Sequence, residues 1–469
     1  MVMSIDILSD DALLEIFGFY VVEDIHVKRD VEAWQSLVHV CQRWRRLVFG
    51  SPRCLNLRLY CATKTQTRMR DTLDIWPALP LIIRGSANPE ELDNIIAVLE
   101  RNDRVCDISI DFSDSHFGDA WTVMHHDVMQ KPFPVLERLG LSASGMTPDI
   151  PDSILGGSAP HLIALALDGF PFPGIPKLLM STTHLMHLSL TNYSSSRGYI
   201  SPEAIVNVLS TLTSLRSLSL GFSSSENRPD QHPSPLTRPV IPFLRLLKFN
   251  GVSGYLEDLL ARFDTPRLST IYIILPYQIV FDTQTIQFIR RTRSLGPLEE
   301  ARLVFRNADA EVCLSSRTSG FEQIRVGIPF EGLDWQISSV RLFIFSLPLL
   351  SKLKDLYIFE ETYSPPHWKD KIENVQWLEL LCPFITVKNL YLSEKFAPRI
   401  VSALQELVGD RARQVLPALQ NLFLEGTQPS GPVQESIAKF ISTRQLSGHP
   451  VTVSLWERAT FRSSRAIRP

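Results

Sequence analysis

One short pattern, L-x-x-L-x-L, recurs along most of the chain and limits the folds open to it more than any other feature. It reads Leu136-Leu139-Leu141, Leu162-Leu165-Leu167, Leu185-Leu188-Leu190, Leu215-Leu218-Leu220, Leu244-Leu247-Phe249 and Leu268-Ile271-Ile273. It continues as Leu298-Ala301-Leu303, Phe321-Ile324-Val326, Leu353-Leu356-Ile358, Val387-Leu390-Leu392 and Leu419-Leu422-Leu424, with a weaker copy at Val105-Ile108-Ile110. The first positions lie 23 to 34 residues apart. The last two apolar positions of each copy are separated by one residue, so in a strand they point to the same face. Between copies the spacing turns helical. Asn88 caps a segment from Pro89 to Arg101 with Leu92, Ile95, Ile96 and Leu99 on one side. Ser201-Pro202 opens another, with Ile205, Val208, Leu209 and Leu212 inward; Asp282 opens a third, with Ile286 and Ile289. Pro398 to Val408 adds a fourth, carrying Ile400, Val401, Leu404 and Leu407.

Strand, turn, helix and return, repeated at this period, are the sequence marks of a leucine-rich-repeat-like α/β solenoid. The expected form is right-handed, with parallel strands on a concave face and helices on the convex one. An ordinary α/β domain is the competing fold, but it would give fewer and less uniform copies. The repeats are interrupted. Ser223 to Pro242 and Thr362 to His367 read as exposed loops, and Asp111 to Lys131 is a longer excursion with Trp121, His125 and His126.

The first residues are of another kind. Ser9 caps a helix, Asp10 and Asp11 suit its positive end, and Leu13, Ile16, Phe17 and Tyr20 share a face. A charged insert, Glu23 to Glu32, is followed by renewed helical spacing through Trp34, Leu37, Val38, Cys41, Trp44, Leu47 and Val48. Ser51-Pro52 ends it, since proline disfavours the helical conformation in the residue before it. The ordered set from Leu8-Ser9-Asp10-Asp11 through Phe17, then Trp34, Leu37, Val40-Cys41 and Trp44, resembles an F-box, as does the Ser51-Pro52-Arg53 exit into a Leu-rich strand. The likeness is to fungal F-box proteins and covers about the first tenth of the chain. It departs at Ser9, where that family usually has proline. The resemblance implies a three-helix head that docks on Skp1 through Leu8, Leu13, Ile16, Phe17, Leu37, Val40 and Trp44, and through Skp1 on a cullin. A head that merely caps the solenoid is the alternative. The division expected is 1–60 head, 61–455 solenoid and 456–469 basic tail with Arg458, Arg462, Arg465 and Arg468.

Composition closes off several functions. The 469 residues carry 47 basic and 50 acidic side chains, a net charge of -3, which argues against nucleic-acid binding. The six cysteines form no C-x-x-C pair, so neither zinc nor redox chemistry is indicated. They read as reduced thiols. The opening MVMSIDILSDD is unlike a signal peptide, and no apolar run reaches the roughly 20 residues of a membrane span. A location in cytosol or nucleus is expected. His125-His126 and the pair His184 and His187 lack further ligands at metal spacing, and Gly156-Gly157 lacks the Lys of a P-loop. No nucleophile elbow or H-E-x-x-H is present. The expectation is a non-catalytic adaptor with no cofactor or metal.

On a solenoid the residues flanking the last two apolar positions face outward. Early copies offer Arg138 and Gly140, Ala164 and Ala166, His187 and Ser189, Ser217 and Ser219. Later copies offer Tyr272, Arg302, Arg325, Tyr357, Phe359, Tyr391 and Phe423, with Asp355, Asn389, Asn421 and Glu425 beside them. Aromatics and arginines dominate binding hot spots, so these seven are the candidate surface for a target protein. Rings also suit strands and stack on each other between rungs, and the sequence leaves that reading equally open.

Overall fold

The fold was read from a computed structural model that describes residues 7–21, 33–52, 54–55, 57–62, 69–75, 78–88, 90–112, 124, 128–144, 149–171, 175–192, 200–222, 237–276, 283–316, 322–361, 372–407, 414–426 and 432–457. The Glu23–Glu32 insert, Trp121, His125, His126, Asp282, the 362–367 loop, most of the 223–242 loop and the tail arginines lie outside the described residues. The chain divides into two compact units, one of 1–200 with 211–215, the other of 201–210 with 216–469.

Three short helices open the first unit: α1 (Asp10–Val21), α2 (Ala33–Val38) and α3 (Gln42–Gly50). The spacing suggested one helix from Ala33 to Val48, but it breaks after Val38. Cys41 takes an extended conformation and its sulfur accepts from the Trp44 amide at 3.5 Å, so α3 starts afresh. Phe17 of α1 packs on Trp44 of α3 with ring centroids 4.7 Å apart, and Arg43 pairs with Asp10 at 2.7 Å.

Six strands follow in this unit: β1 (Leu59–Ala62), β2 (Leu81–Ser86), β3 (Val105–Phe112), β4 (Arg138–Ala143), β5 (Ala164–Asp168) and β6 (His187–Asn192). They pair in chain order and in parallel. Helices α4 (Met69–Ile75), α5 (Leu92–Leu99) and α6 (Ile175–Ser181) lie on returns between them. The consensus explains the register. Ile108, Leu139, Leu165 and Leu188 are aligned across β3 to β6 and all are buried. One return depends on glycine: Gly169 has φ of 80° and a Cβ there would meet the Ala143 carbonyl oxygen at 2.0 Å.

The second unit has ten described strands. β7 (Ser217–Phe222), β8 (Leu246–Asn250) and β9 (Thr270–Ile274) run parallel in order. Then order and direction both depart from expectation. β10 (Glu300–Phe305), β11 (Ala310–Ser315) and β12 (Glu322–Ile328) form an antiparallel meander inserted between β9 and β13 (Asp355–Glu360). β12 pairs with β9, and β10 pairs with β13. A tight turn drives the reversal, with the Arg306 amide donating to the Asp309 carbonyl at 2.8 Å. Parallel pairing resumes through β14 (Asn389–Leu392), β15 (Asn421–Glu425) and β16 (Thr452–Trp456). Trp456, assigned to the tail from sequence, closes this last strand.

Helices α7 (Pro202–Thr211), α8 (Ser253–Ala261), α9 (Thr283–Arg291), α10 (Leu333–Ser346), α11 (Asn374–Leu381), α12 (Ala397–Leu404) and α13 (Pro432–Leu446) lie on the remaining returns. Trp377 of α11 is buried against Phe305 and Phe396, with centroids 6.5 and 5.4 Å away. Each unit is thus a ladder of strands with leucines toward the core and a second, open face. Parallel register and the L-x-x-L-x-L consensus together make the fold leucine-rich-repeat-like. Among the described residues, no helix is long and apolar enough to cross a membrane.

Candidate functional site

The head divides the residues expected to dock on Skp1 into two groups. Leu13, Phe17 and Leu37 are buried in the head itself, so direct contact through them is not available. Their role is to hold three helices together. Leu8, Ile16 and Val40 are exposed, and Trp44 is half-buried. Three more apolar side chains stand out in the solvent: Ile7 at 74 % and Phe19 at 79 % exposure, neither singled out from the sequence, and Tyr20 at 53 %, which was expected on the face of Leu13 and Phe17. Ile16, Phe19 and Tyr20 follow i, i+3, i+4 on α1, beside the inward stripe of Leu13 and Phe17. The head is also fastened to its own unit. The Trp34 indole is buried and its Nε1 donates to the Arg58 carbonyl at 3.0 Å, while Arg58 pairs with Glu137 of the next rungs at 3.0 Å.

The open face of the second unit gathers the residues expected to hold a target. Strand register puts Lys248, Tyr272, Arg325, Cys313, Arg302, Tyr357, Tyr391, Phe423 and Ser454 in one row across β8 to β16. Six of the seven candidates stand in that row. Phe359 stands in the next row, opposite Val304. The row is continuous because the meander keeps the period of two through it, whichever way the strand runs; the register shift between β11 and β12 falls beyond it, at Leu314 and Ser315.

Stacking between rungs, the second reading of these rings, is present. Tyr357 and Tyr391 lie 4.1 Å apart at 9°, and Tyr391 and Phe423 lie 4.4 Å apart at 6°. Trp456 stands edge-on to Tyr391 at 5.5 Å, with its Nε1 donating to the Leu392 carbonyl at 3.3 Å. The rings remain half-buried, so the stack is itself a surface. Beside it, in the neighbouring row of the same face, runs a polar ladder. Asn389 donates to Asp355 at 2.6 Å, Asn421 donates to Asn389 at 2.7 Å, and the Thr452 hydroxyl donates to Asn421. Burial first, then the neighbouring carboxylate Glu300, pushes the Tyr357 phenol well above its ordinary value, so it stays a neutral hydrogen-bonding group.

The meander supplies the charged part. Arg325 lies 5.0 Å over the Tyr272 ring and pairs with Glu311 and Glu322. Arg302 lies 5.9 Å over Tyr357 and pairs with Glu300 and Glu322. Arg306 pairs with Asp309, Glu311 and Glu361 at 2.8 to 3.0 Å. Burial pushes the Glu311 carboxyl up, but Arg325 and Arg306 outweigh it and hold it below the usual carboxylate range. Glu311, Cys313 and Glu322 bring ligand atoms within 4.8 Å of one another. The donor set does not suit a metal ion. Guanidinium groups already neutralise both carboxylates, and burial together with Glu311 keeps the Cys313 thiol protonated, far above its ordinary pKa. Glu311, Cys313 and Trp456 were missed in the sequence because β11 lacks the leucine consensus and β16 adjoins a basic tail; the alternation in Thr452-Val453-Ser454-Leu455-Trp456 was the available signal.

No protein-family model matches the chain, and no curated protein matches it. Among solved structures the chain is similar to one described as the crystal structure of a TLR13–ssRNA13 complex. Identity there is 12 % and the TM-score 0.29, with 84 % of this chain and 48 % of the other covered, so this chain spans about half of its length. It is also similar to the leucine-rich repeat-containing protein LegL7 from Legionella pneumophila. Identity in that case is 11 % and the TM-score 0.28, with 82 % of this chain and 97 % of the other covered. Both likenesses concern the fold alone.

Proposed function

We propose that this chain is a non-catalytic adaptor that holds a target protein on the open face of its second unit and docks through its head on Skp1 in a cullin-RING ubiquitin ligase. The observation that carries this reading is the apolar surface left over on the head. Ile7, Leu8, Ile16, Phe19, Tyr20 and Val40 are all exposed on a bundle of three short helices. A cap made only to seal a solenoid would turn such side chains inward, where each contributes roughly 1.5–3 kcal/mol. A partner groove that covers them supplies the same gain. The mechanism is tethering: a held target meets the ubiquitin-charged subunit at high effective concentration, and this chain needs no catalytic group. Such an adaptor works in cytosol or nucleus.

Co-expression with Skp1 tests the head. Skp1 should co-purify with the intact chain and be lost from Ile16→Asp and from Val40→Asp, both at exposed positions that leave the fold unchanged. Alanine at Tyr357, Tyr391 and Phe423 together should abolish target capture while Skp1 stays bound. A second reading is favoured by the buried Trp34 and its bond to Arg58, which fasten the head to the first rungs. In it the chain is a protein-binding scaffold outside the ubiquitin system and the head is a cap. A folded chain that leaves Skp1 in the flow-through establishes that second reading.

A further inference from the structure

The three arginines of the meander are each held by carboxylates of the chain itself. Arg302 pairs with Glu300 and Glu322, Arg325 with Glu311 and Glu322, and Arg306 with Asp309, Glu311 and Glu361. One cation in the same outer row is placed differently. Lys248 of β8 stands half-buried between Ser219 of β7 and Tyr272 of β9, its register partners on either side. Among the described residues, no carboxylate pairs with its ammonium, and no group of the chain hydrogen-bonds to it, to the Tyr272 phenol or to the Ser219 hydroxyl. Burial first, then the Arg325 guanidinium, holds the Lys248 ammonium below its ordinary value, the direction taken by a cation with no countercharge. At Tyr272 burial outweighs Arg325 and pushes the phenol up, so it keeps its proton to donate. Three donors thus stand unanswered on successive strands, about 4.8 Å apart. The ammonium gives up hydration there and the fold returns no bond to it.

We infer that the open face of the second unit takes an acidic side chain of the target protein, whose carboxylate accepts hydrogen bonds from Lys248, Tyr272 and Ser219. This rests on the reading of that face as the target site and says what chemistry its β7 to β9 end selects. A carboxylate carries one charge and offers several acceptor positions. One ammonium balances the charge, and two neutral hydroxyls fill further lone pairs. A phosphoryl group brings close to two charges and is best met by guanidinium forks. The neighbouring fork, Arg325, is already engaged by Glu311, whose own carboxylate stands against a dianion. A basic segment is repelled by Lys248. Leu246 and Ile274, half-buried on the same side of β8 and β9, give the acid apolar neighbours. Along the pairing order β8-β9-β12-β11-β10-β13, five strand spacings place Lys248 about 24 Å from Tyr357. An extended segment covers that distance in about seven residues. The segment that meets the ring stack is therefore expected to carry its acidic residue about seven positions away.

The probe is a fluorescein-labelled glutamate–leucine–glycine repeat peptide with an amidated C-terminus, titrated with the full chain in the absence of Skp1 and followed by anisotropy. A net charge of -3 on the chain opposes an acidic ligand, so binding requires a local site. Lys248→Gln should weaken binding about tenfold. Tyr272→Phe keeps the ring beneath Arg325, removes only the hydroxyl and should weaken it about threefold. Lys352→Gln removes the same charge from an exposed position elsewhere in this unit and should change nothing. The glutamine form of the peptide should not bind, and the phosphoserine form should bind no more tightly than glutamate. Lys248→Met should abolish binding and yet raise the denaturation midpoint, because it removes a charge that the fold leaves uncompensated. The inference is overturned if the glutamate peptide does not bind, if Lys248→Gln leaves binding intact, or if Lys352→Gln weakens it equally. It is overturned as well if phosphoserine binds more tightly through Lys248, which makes the site one for phosphate, or if Lys248→Met lowers the midpoint, which gives the ammonium a role in the fold. Target capture separates the two levels. If the triple alanine variant loses its target while the glutamate peptide never binds, the face is right and the acid chemistry wrong. If the triple variant keeps its target, the face itself is misassigned.

Discussion

The two units have the same inner side and opposite outer sides. Inward, Leu139, Leu165 and Leu188 of the first unit occupy the same consensus position as Leu356, Leu390 and Leu422 of the second, and all are buried. Outward, the central row of the first unit reads Arg84, Ser109, Gly140, Ala166 and Ser189. The corresponding row of the second begins with Ser219 and Lys248 and ends with Ser454, but between them it reads Tyr272, Arg325, Cys313, Arg302, Tyr357, Tyr391 and Phe423. The inner row is bound to the fold by burial, whereas the outer row is constrained only by strand geometry. Side chains of quite different size and charge can therefore stand on one backbone plan. The large ones need a reason to be there, and stacking with neighbours supplies part of it.

Equal inner rows should cost equally when damaged. Leu165→Ala in the first unit and Leu390→Ala in the second should each destabilise by about 4 kcal/mol, the usual loss for a fully buried leucine with a cavity left behind. Chemical denaturation of the purified variants measures it, with hydrogen exchange locating the loss in the mutated unit. A variant tolerated in one unit and not in the other would break the equivalence of the two inner rows.

The next effect belongs to the second unit alone. Glu311 is buried on β11 between Arg306 and Arg325. Glu311→Gln keeps the shape but removes the charge that both guanidiniums face, at a cost of about 3 kcal/mol. The pH dependence carries the sign. With its folded pKa below the ordinary value, Glu311 stabilises the fold above the ordinary carboxylate range, and that contribution is lost as pH falls through the folded pKa. Asp309, pushed up chiefly by burial, acts in the opposite sense, its share of stability falling as pH rises. Denaturation repeated from neutral to acid pH should show the wild type converging on Glu311→Gln at the acid end. Parallel curves would mean that the carboxylate is not the group the arginines hold.

Periodicity explains what could be read from the chain and what could not. In every copy of L-x-x-L-x-L the last two apolar positions became part of a strand, because an apolar residue there has no stable place except the core. β11, with the sequence AEVCLS, was invisible: Glu311 and Cys313 fill positions that a repeat gives to small polar groups or rings, and the strand is buried throughout. The exchange of β12 and β10 in the pairing order was equally hidden. Each strand reads as an ordinary repeat, and the choice of neighbour is made by the Arg306–Asp309 turn and the ion pairs around it. In the head, three helices with apolar residues on several sides do not reveal which side is inner. Leu13, Phe17 and Leu37 were thus grouped with Leu8, Ile16 and Val40, although burial separates them. The open face was the most legible part, since a period of two fixes it once the strands are known.

The smallest expected effects sharpen the outer-row contrast most. Tyr391 stacks on Tyr357 on one side and on Phe423 on the other. A ring pair of this kind contributes about 1 kcal/mol beyond burial, so Tyr391→Ala should cost about 2 kcal/mol. Ser189 stands in the outer row of the first unit, and Ser189→Ala should stay within about 0.5 kcal/mol of the wild type. Tyr391→Leu distinguishes the causes. If ring stacking holds the row, leucine restores the buried area but not the stack, and stability should fall between the wild type and alanine. If leucine matches tyrosine in stability yet loses target capture, the rings stand in that row for recognition and the fold does not need them.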